Sequence, residues 1–247
     1  MDKARQWMAA CLLAVASAAA SAGNSGGSLP PTGHYATRPG WAELVISFDG
    51  TRRRFALDSG GDSSPGCALS GVLEEDGSVL ASNAAPQCRL RLRPTAEGWR
   101  TEVVDAAACR QHCGMAVALE GEFVPLPDAC RWQAREQARA SFRQHYDRRA
   151  YAQALGVLDQ LQASCGRFID WLEADALAND RAITEFRLGR PEQCLRTLAA
   201  TRAAGVSSVD QLASQLQLNR LQQQAYLPVA RATLYNRNKC SQAVAAL

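Results

Sequence analysis

The cysteines are the feature that most constrains the fold of this chain of 247 residues. The sequence contains nine of them, and Cys11 lies in an N-terminal segment that we expect to be removed. The remaining cysteines form an even set, which in an exported chain is typical of a disulfide framework. We therefore predict structural disulfides among Cys67, Cys88, Cys109, Cys113, Cys130, Cys165, Cys194 and Cys240.

Residues 1–22 have the parts of a bacterial Sec-type signal peptide. Lys3 and Arg5 give a basic start, residues 8–20 are apolar, and residues 20–22 supply small side chains before the cleavage point. The apolar stretch is short for a retained anchor, and no other segment approaches about 18 apolar residues in a row. We expect a periplasmic protein with no membrane insertion after signal cleavage.

The composition changes near Cys130 and indicates two domains. Residues 40–130 are rich in Gly, Pro, Ser and short alternating runs, whereas residues 131–247 are rich in Ala, Leu, Gln and Arg. Residues 23–39 contain Gly-Gly-Ser and Pro-Pro-Thr-Gly, which favours a flexible lead-in with no core of its own. The predicted fold class is a two-domain α+β protein, with a small antiparallel β barrel or sandwich followed by an α-helical domain.

Charge divides at the same boundary. Residues 24–130 have nine arginines against thirteen carboxylates, a net charge of −4, while residues 131–247 have sixteen cations against ten carboxylates, a net charge of +6. The overall charge of +3 is too small for a nucleic-acid binder, so we predict no nucleic-acid partner. The division leaves open mutual attraction of the halves, an acidic partner for the helical half, or two solvated surfaces.

Short strands separated by glycine-containing turns are predicted for the first domain. Residues 41–48 and 52–57 flank Asp49-Gly50, which is a strong hairpin signal. Further strands are predicted at residues 67–73, 79–82, 88–93, 99–104 and 116–123.

The run Cys-Arg-Leu-Arg-Leu-Arg at residues 88–93 alternates with a period of two. This pattern predicts a strand with the cysteine and leucines facing inward and Arg89, Arg91 and Arg93 facing outward. A row of guanidinium groups is suited to carboxylates or phosphates of a partner. The alternative is that these are simply charged outward positions.

Several of these segments together resemble the bacterial lysozyme inhibitors and their relatives. They are a strand pair around a Gly turn, Cys-Arg-Leu-Arg-Leu at 88–92, Cys-Arg-Gln-His-Cys-Gly at 109–114, and Ala-Leu-Glu-Gly-Glu-Phe at 118–123. The resemblance covers residues 41–130 and implies a small periplasmic β domain that binds a protein. The chain differs from that group in its additional helical domain.

Two shorter motifs suggest other chemistry. Asp58-Ser59-Gly60 resembles the Asp-Ser-Gly element of retroviral-type aspartic proteases, although the same residues are common in turns. Cys109 and Cys113 flank His112, but the histidines are too scattered for a zinc site and the order does not fit haem attachment. We therefore expect no metal and no cofactor, and structural disulfides at both cysteines.

The second domain contains an imperfect repeat. Residues 146–158 are echoed by residues 186–198 and faintly by residues 235–247, each with an aromatic residue, a polar turn, a small residue and then leucine or valine. The pattern resembles the tetratricopeptide repeat, with insertions at 166–169 and 204–215, and implies stacked helical hairpins that bind a partner or support the β domain. A disulfide between Cys165 and Cys194 would join successive hairpins.

Arginines near the predicted hairpin turns are the candidate partner-binding residues of this domain: Arg143, Arg148, Arg149, Arg187 and Arg190. With no convincing catalytic constellation, the sequence favours a non-enzymatic binding protein that neutralises another protein, as an inhibitor or a toxin-immunity protein against an envelope-degrading enzyme. The alternative functions are a structural or assembly scaffold of the envelope and, third, an aspartic protease using Asp58.

The distribution of cysteines predicts a link between the domains. Five lie in residues 67–130 and three in residues 165–240, and both numbers are odd. If all eight are paired, at least one disulfide joins the two halves, and Cys130 at the junction is the natural candidate. Such a link would hold the two domains in one fixed relation.

Overall fold

The computed structural model describes residues 29–60, 66–81, 83–115 and 117–246. The predicted signal peptide and Cys11 lie outside these residues. The strands are β1 (Gly33–Ala36), β2 (Ala42–Phe48), β3 (Arg53–Ser59), β4 (Cys67–Leu73), β5 (Ser78–Ala81), β6 (Arg89–Pro94), β7 (Trp99–Val103) and β8 (Gly121–Pro125). The α-helices are α1 (Ala106–Cys113), α2 (Trp132–Asp147), α3 (Tyr151–Cys165), α4 (Trp171–Arg187), α5 (Pro191–Ala199), α6 (Leu212–Leu216) and α7 (Arg220–Ala245).

The strands form a closed antiparallel barrel in which each strand pairs with its neighbour in sequence and β8 pairs with β1. The predicted hairpin around Asp49-Gly50 is confirmed, with Ile46 opposite Phe55 on β2 and β3. Alternate residues of the strands fill the interior, as expected from their period-two pattern. The predicted fold class, a β domain followed by a helical domain, is therefore confirmed.

Strand β1 lies in the segment predicted to be a lead-in without a core. Tyr35 and Ala36 pair with Pro125 and Val124 of β8, and both are buried. This short strand closes the barrel, so the lead-in prediction is wrong for Gly33–Ala36. Its pattern is too short to recognise, and β8, one of its two partner strands, lies almost ninety residues away in sequence.

Helix α1 occupies the segment between β7 and β8. Asp105 caps it by accepting a hydrogen bond from the backbone N–H of Ala108 at 3.0 Å. The strand predicted at 116–123 is wrong in its position, because β8 begins at Gly121. Helix α1 is held against the barrel by disulfides from Cys88 to Cys109 and from Cys67 to Cys113.

The helical region contains two of the three predicted hairpins. Residues 146–158 and 186–198 each contain a helix end, a tight turn and the start of the next helix, with the small residues Ala154 and Cys194 fully buried. Short 3-10 helices at Gly166–Phe168, Arg202–Gly205 and Val209–Gln211 fall at or near the predicted insertions.

The third predicted repeat is wrong, because residues 235–245 belong to the continuous helix α7. Asn236 of the expected turn is buried and donates to the side-chain oxygen of Asn179 on α4 at 3.2 Å. The predicted Cys165–Cys194 disulfide is also wrong. Cys194 pairs with Cys240 of α7 instead, which attaches that helix to α5.

The barrel and the helices share a hydrophobic core. Val124 and Leu126 pack with Phe142, Leu158 and Phe168 of the helical region. A disulfide from Cys130 to Cys165 crosses the junction, which confirms the predicted link and its candidate residue. The four disulfides are consistent with a secreted or periplasmic protein.

No helix within the described residues combines the length and apolar character needed to cross a membrane.

Candidate binding surface

The two helical hairpins place arginines at their turns. Helix α2 ends at Asp147, and Arg149 adopts a left-handed backbone conformation with φ of 60°. Helix α4 ends at Arg187, and Gly189 makes the same kind of turn with φ of 73°. Tight turns leave their side chains in solvent, and Arg148, Arg149, Arg187 and Arg190 are all exposed.

A contact between the hairpins brings the two turns together. The Nε of Arg187 donates a hydrogen bond to the hydroxyl of Tyr146 on α2, at 3.5 Å. This hydrogen bond is the largest cause of a raised pKa for Arg187, and Tyr235 on α7 makes a smaller electrostatic contribution in the same direction. Tyr235, near the middle of α7, therefore lies within electrostatic range of Arg187.

Aromatic side chains lie among these arginines. The rings of Tyr146 and Tyr151 are 5.3 Å apart and meet edge to face. Tyr235 is 59% exposed, and the ammonium of Lys239 lies 5.1 Å from its ring centroid. We name this region the hairpin-turn surface; it consists of Tyr146, Arg148, Arg149, Tyr151, Arg187, Arg190, Tyr235 and Lys239.

The arginines of the hairpin-turn surface differ from many others in the described residues in lacking a salt bridge. Within the described part of the chain, none of its four arginines forms a salt bridge. Asp147 and Glu192 lie next to it in sequence, so the surface carries more positive than negative charge. A surface of this kind can accept carboxylates from a partner without first breaking its own ion pairs.

A buried polar network holds α7 beside α4. The hydroxyl of Tyr226 donates to the carboxylate of Asp175, which also accepts the backbone N–H of Arg202 at 2.8 Å. Further along, Asn179 donates to the hydroxyl of Thr233 at 2.9 Å. These contacts fix the orientation of α7 and thereby the position of Tyr235 and Lys239.

Arg143 is exposed but lies a turn before the end of α2. Its positive charge acts on Asp180 of α4, where it opposes the effect of burial on the pKa of that carboxyl. Arg143 is therefore not placed at the turn where Arg148 and Arg149 lie.

The predicted arginine row on β6 lies on a different part of the molecule. Leu90 and Leu92 are buried, while Arg89 and Arg93 are exposed, so the predicted alternation is confirmed. The Nε of Arg93 donates to Glu102 of β7 at 2.7 Å. Arg91 is half-buried and lies opposite Glu102 in the strand register. Two of the three arginines therefore already have a carboxylate close by.

The tyrosines and Lys239 of the hairpin-turn surface were not predicted as binding residues. Tyr146 and Tyr151 belong to the repeat pattern, in which an aromatic residue near a turn usually indicates packing. Tyr235 belongs to the repeat that the structure does not contain. Each copy has an arginine within two residues of an aromatic residue, Tyr146, Phe186 or Tyr235, but this signal does not reveal that the copies meet.

The other motifs have definite positions. Asp58 is exposed on β3, with Glu43 and Ala68 opposite it on the neighbouring strands. Cys109 and Cys113 each form a disulfide with a cysteine outside α1. Among the described residues, no group of three or more His, Cys, Asp or Glu side chains could hold a metal ion.

Comparisons with known proteins identify no relative of this chain. No protein-family model, curated protein or solved structure matches this chain. The resemblances to lysozyme inhibitors and to tetratricopeptide repeats therefore stay predictions, and the barrel followed by helices stands on the structure alone.

Burial of carboxyl groups on α4 predicts how stability depends on pH. Burial raises the pKa of Glu173, Asp175 and Asp180, and nearby arginines or a tyrosine only partly oppose it. The folded protein thus keeps these protons to higher pH than the unfolded chain does. These groups stabilise the fold fully at a pH below their ordinary pKa values, 4.5 for glutamate and 3.8 for aspartate. This stabilisation is lost as the pH rises through their raised pKa values in the folded protein.

We expect the free energy of urea unfolding to increase as the pH falls from about 7 to about 4.5. The pKa of Asp49 is lowered to about 2 by hydrogen bonds from Arg52 and Thr51, so its opposite effect appears only below this range. Asp180→Asn should make the free energy of unfolding depend less steeply on pH. Asp210→Asn, at an exposed carboxyl, should leave that dependence unchanged. A free energy of unfolding that falls steadily over this pH range would contradict the prediction.

Proposed function

We propose that this chain is a non-enzymatic binding protein of the bacterial periplasm that recognises and neutralises another protein. The observation that carries the proposal is the hairpin-turn surface, where four exposed arginines, which form no salt bridge with any residue that the structure describes, lie among three tyrosines. Arginine and tyrosine are enriched among the residues that dominate binding energy at protein interfaces.

Electrostatics define the kind of partner. The helical half has a net charge of +6, and the four arginines of the hairpin-turn surface concentrate part of that charge at the turns of the hairpins. Guanidinium groups pair with carboxylates through two parallel hydrogen bonds, which gives direction as well as attraction. The proposed partner therefore presents an acidic surface.

Rigidity favours tight binding by this surface. The Cys194–Cys240 disulfide and the buried contacts of Tyr226 and Asn179 hold α7 against α4 and α5. A surface whose backbone is already fixed loses little conformational entropy on association. This suits an inhibitor or immunity protein, which must compete with the substrate or target of the protein it blocks.

The test is retention of a partner by the oxidised protein, residues 23–247, immobilised and exposed to periplasmic extract. The variant Arg148→Glu/Arg149→Glu/Arg187→Glu should bind the retained partner at least about tenfold more weakly, because several charge contacts become repulsive. The matched control Arg52→Glu/Arg110→Glu/Arg220→Glu makes the same change in net charge at exposed positions elsewhere.

The purified partner is then assayed for envelope-degrading activity with and without this protein. We expect stoichiometric inhibition by the wild type and by the control, and loss of inhibition by the hairpin-turn variant. Retention of no partner, or equal binding by the two triple variants, would contradict the proposal.

Stacked helical hairpins also support a second function, a structural or assembly scaffold of the envelope. A scaffold would retain a component of an envelope complex through the same surface but would inhibit no hydrolase. The inhibition assay therefore separates the two functions.

A further inference from the structure

A cleft of about 360 Å³ lies where the barrel meets the helical domain. Its volume falls within the range of ligand-binding pockets, and domain junctions are a common location for such sites. We name it the junction cleft. The residues used below are Trp41, Glu43 and Asp58 on the barrel wall and Trp132, Arg135, Asp170 and Glu173 on the helical wall.

Both walls of the junction cleft are fixed. Gly40 lies so close to Phe168 that a Cβ at this position would come within 1.8 Å of the Phe168 carbonyl oxygen. The Cys130–Cys165 disulfide crosses the same junction. The cleft is therefore preformed, and a ligand would not have to assemble it.

The charges of the helical wall are satisfied internally. Glu173 forms a salt bridge with Arg135 at 3.3 Å, and Arg135 also donates to the carbonyl of Cys130 at 2.8 Å. Asp170 caps α4 by accepting the backbone N–H of Glu173 at 2.8 Å. These groups shape the helical wall and leave little charge for a ligand.

The barrel wall carries charge that is not balanced. Glu43 on β2 and Asp58 on β3 lie directly opposite each other in the strand register, on the outward face. Like charges at such a position destabilise a sheet. His34 lies 3.5 Å from Glu43, but Asp58 forms no salt bridge with any residue that the structure describes.

An exposed aromatic ring stands on the other wall. Trp132 is 59% exposed on the first turn of α2, although its large apolar surface would be more stable if covered. Trp41 lies on the barrel side, where it meets Phe123 edge to face. An indole ring attracts a cation, and its apolar surface also suits an alkyl chain.

We propose that the junction cleft binds a lysine side chain presented by a partner protein. The ammonium group would pair with Glu43 and Asp58, while the alkyl chain would lie along Trp132. Residues directly opposite on neighbouring strands have Cβ atoms about 5 Å apart, so their carboxylates can share a compact ammonium with three donors. The site is opposite in charge to the hairpin-turn surface and does not depend on it.

The test uses an N-acetylated tetralysine amide as the probe, with binding measured by calorimetry and by tryptophan fluorescence. The variant Glu43→Gln/Asp58→Asn should bind the peptide at least about tenfold more weakly, since it removes both charges that pair with the ammonium. Because it also removes a like-charge contact, its thermal midpoint should not fall. Trp132→Ala should weaken binding about two- to fivefold, as expected for an exposed cation–π contact.

The matched control is Glu74→Gln/Glu75→Gln, which removes two exposed carboxylates just beyond the opposite end of β4. It should bind the peptide as the wild type does. Three results would overturn the proposal: no saturable binding to the wild type, equal binding by the two double variants, or equal binding of a tetraglutamate peptide.

Discussion

Replacing Cys194 and Cys240 together by alanine should lower the free energy of unfolding by about 4 kcal/mol, the cost predicted for opening a loop of this length. The disulfide closes a loop with a sequence separation of 46 residues, and both cysteines are fully buried. In the chain-entropy account, the longer the closed loop, the more conformations the disulfide removes from the unfolded chain. Urea unfolding with the other disulfides intact measures the effect.

The control for this prediction is the shorter loop between Cys88 and Cys109, with a separation of 21 residues. Its double alanine variant should lose about 3 kcal/mol, less than the longer loop because closure entropy rises with the logarithm of length. If opening the shorter loop lowered the free energy of unfolding more than opening the longer one, local packing and not chain entropy would determine which disulfide contributes more.

The double alanine variant at Cys194 and Cys240 should also weaken binding at the hairpin-turn surface. Without Cys240, helix α7 would be attached to α4 and α5 only by noncovalent contacts, including those of Tyr226 and Asn179. Tyr235 and Lys239 would then be held less firmly in the hairpin-turn surface. We expect weaker binding of the acidic partner and no change in tetralysine binding at the junction cleft.

Phe123→Ala should lower the free energy of unfolding by about 3–5 kcal/mol, the usual cost of removing a buried aromatic side chain. Phe123 on β8 has no exposed surface, and its ring centroid is 6.4 Å from that of Trp41. Alanine would leave a cavity inside the barrel, where neighbouring strands cannot collapse to fill it. Thermal and urea unfolding with barrel-specific probes measure the loss.

Phe48→Ala is the matched control, because Phe48 is a strand residue of the same barrel but is 58% exposed. Its effect should stay within about 0.5 kcal/mol, as for most surface substitutions. Similar losses for the two variants would contradict the assignment of Phe123 to the core. Phe123→Ala should also disturb Trp41, and with it the junction cleft.

The sequence established what depends on local pattern. Alternation over Cys88 to Arg93 predicted which side of β6 faces the core, because successive side chains of a strand point to opposite faces. The Asp49-Gly50 turn predicted the β2–β3 hairpin, and the first two repeat copies predicted the turns at Arg149 and Gly189. Each of these signals lies within about a dozen residues of the structure that it specifies.

Tertiary structure decided whatever required distant segments to meet. Strand β1 closes the barrel by pairing with β8 as well as with its sequence neighbour β2, and α7 is continuous because Asn236 and Cys240 pack against α4 and α5. The cysteines alone indicated a disulfide framework, and the parity of their distribution requires at least one link between the halves if all are paired, with Cys130 as the candidate for it.

The remaining pairing could not be read from the sequence, since eight cysteines allow 105 arrangements and only packing selects one of them. Packing likewise brought Tyr235 within electrostatic range of Arg187, and placed Trp132 on the same cleft as Glu43 and Asp58. Local patterns thus determined most of the strands, the first two helical hairpins and the oxidised state of this protein. Its two candidate binding sites were decided by tertiary structure, because each is assembled from residues far apart in sequence.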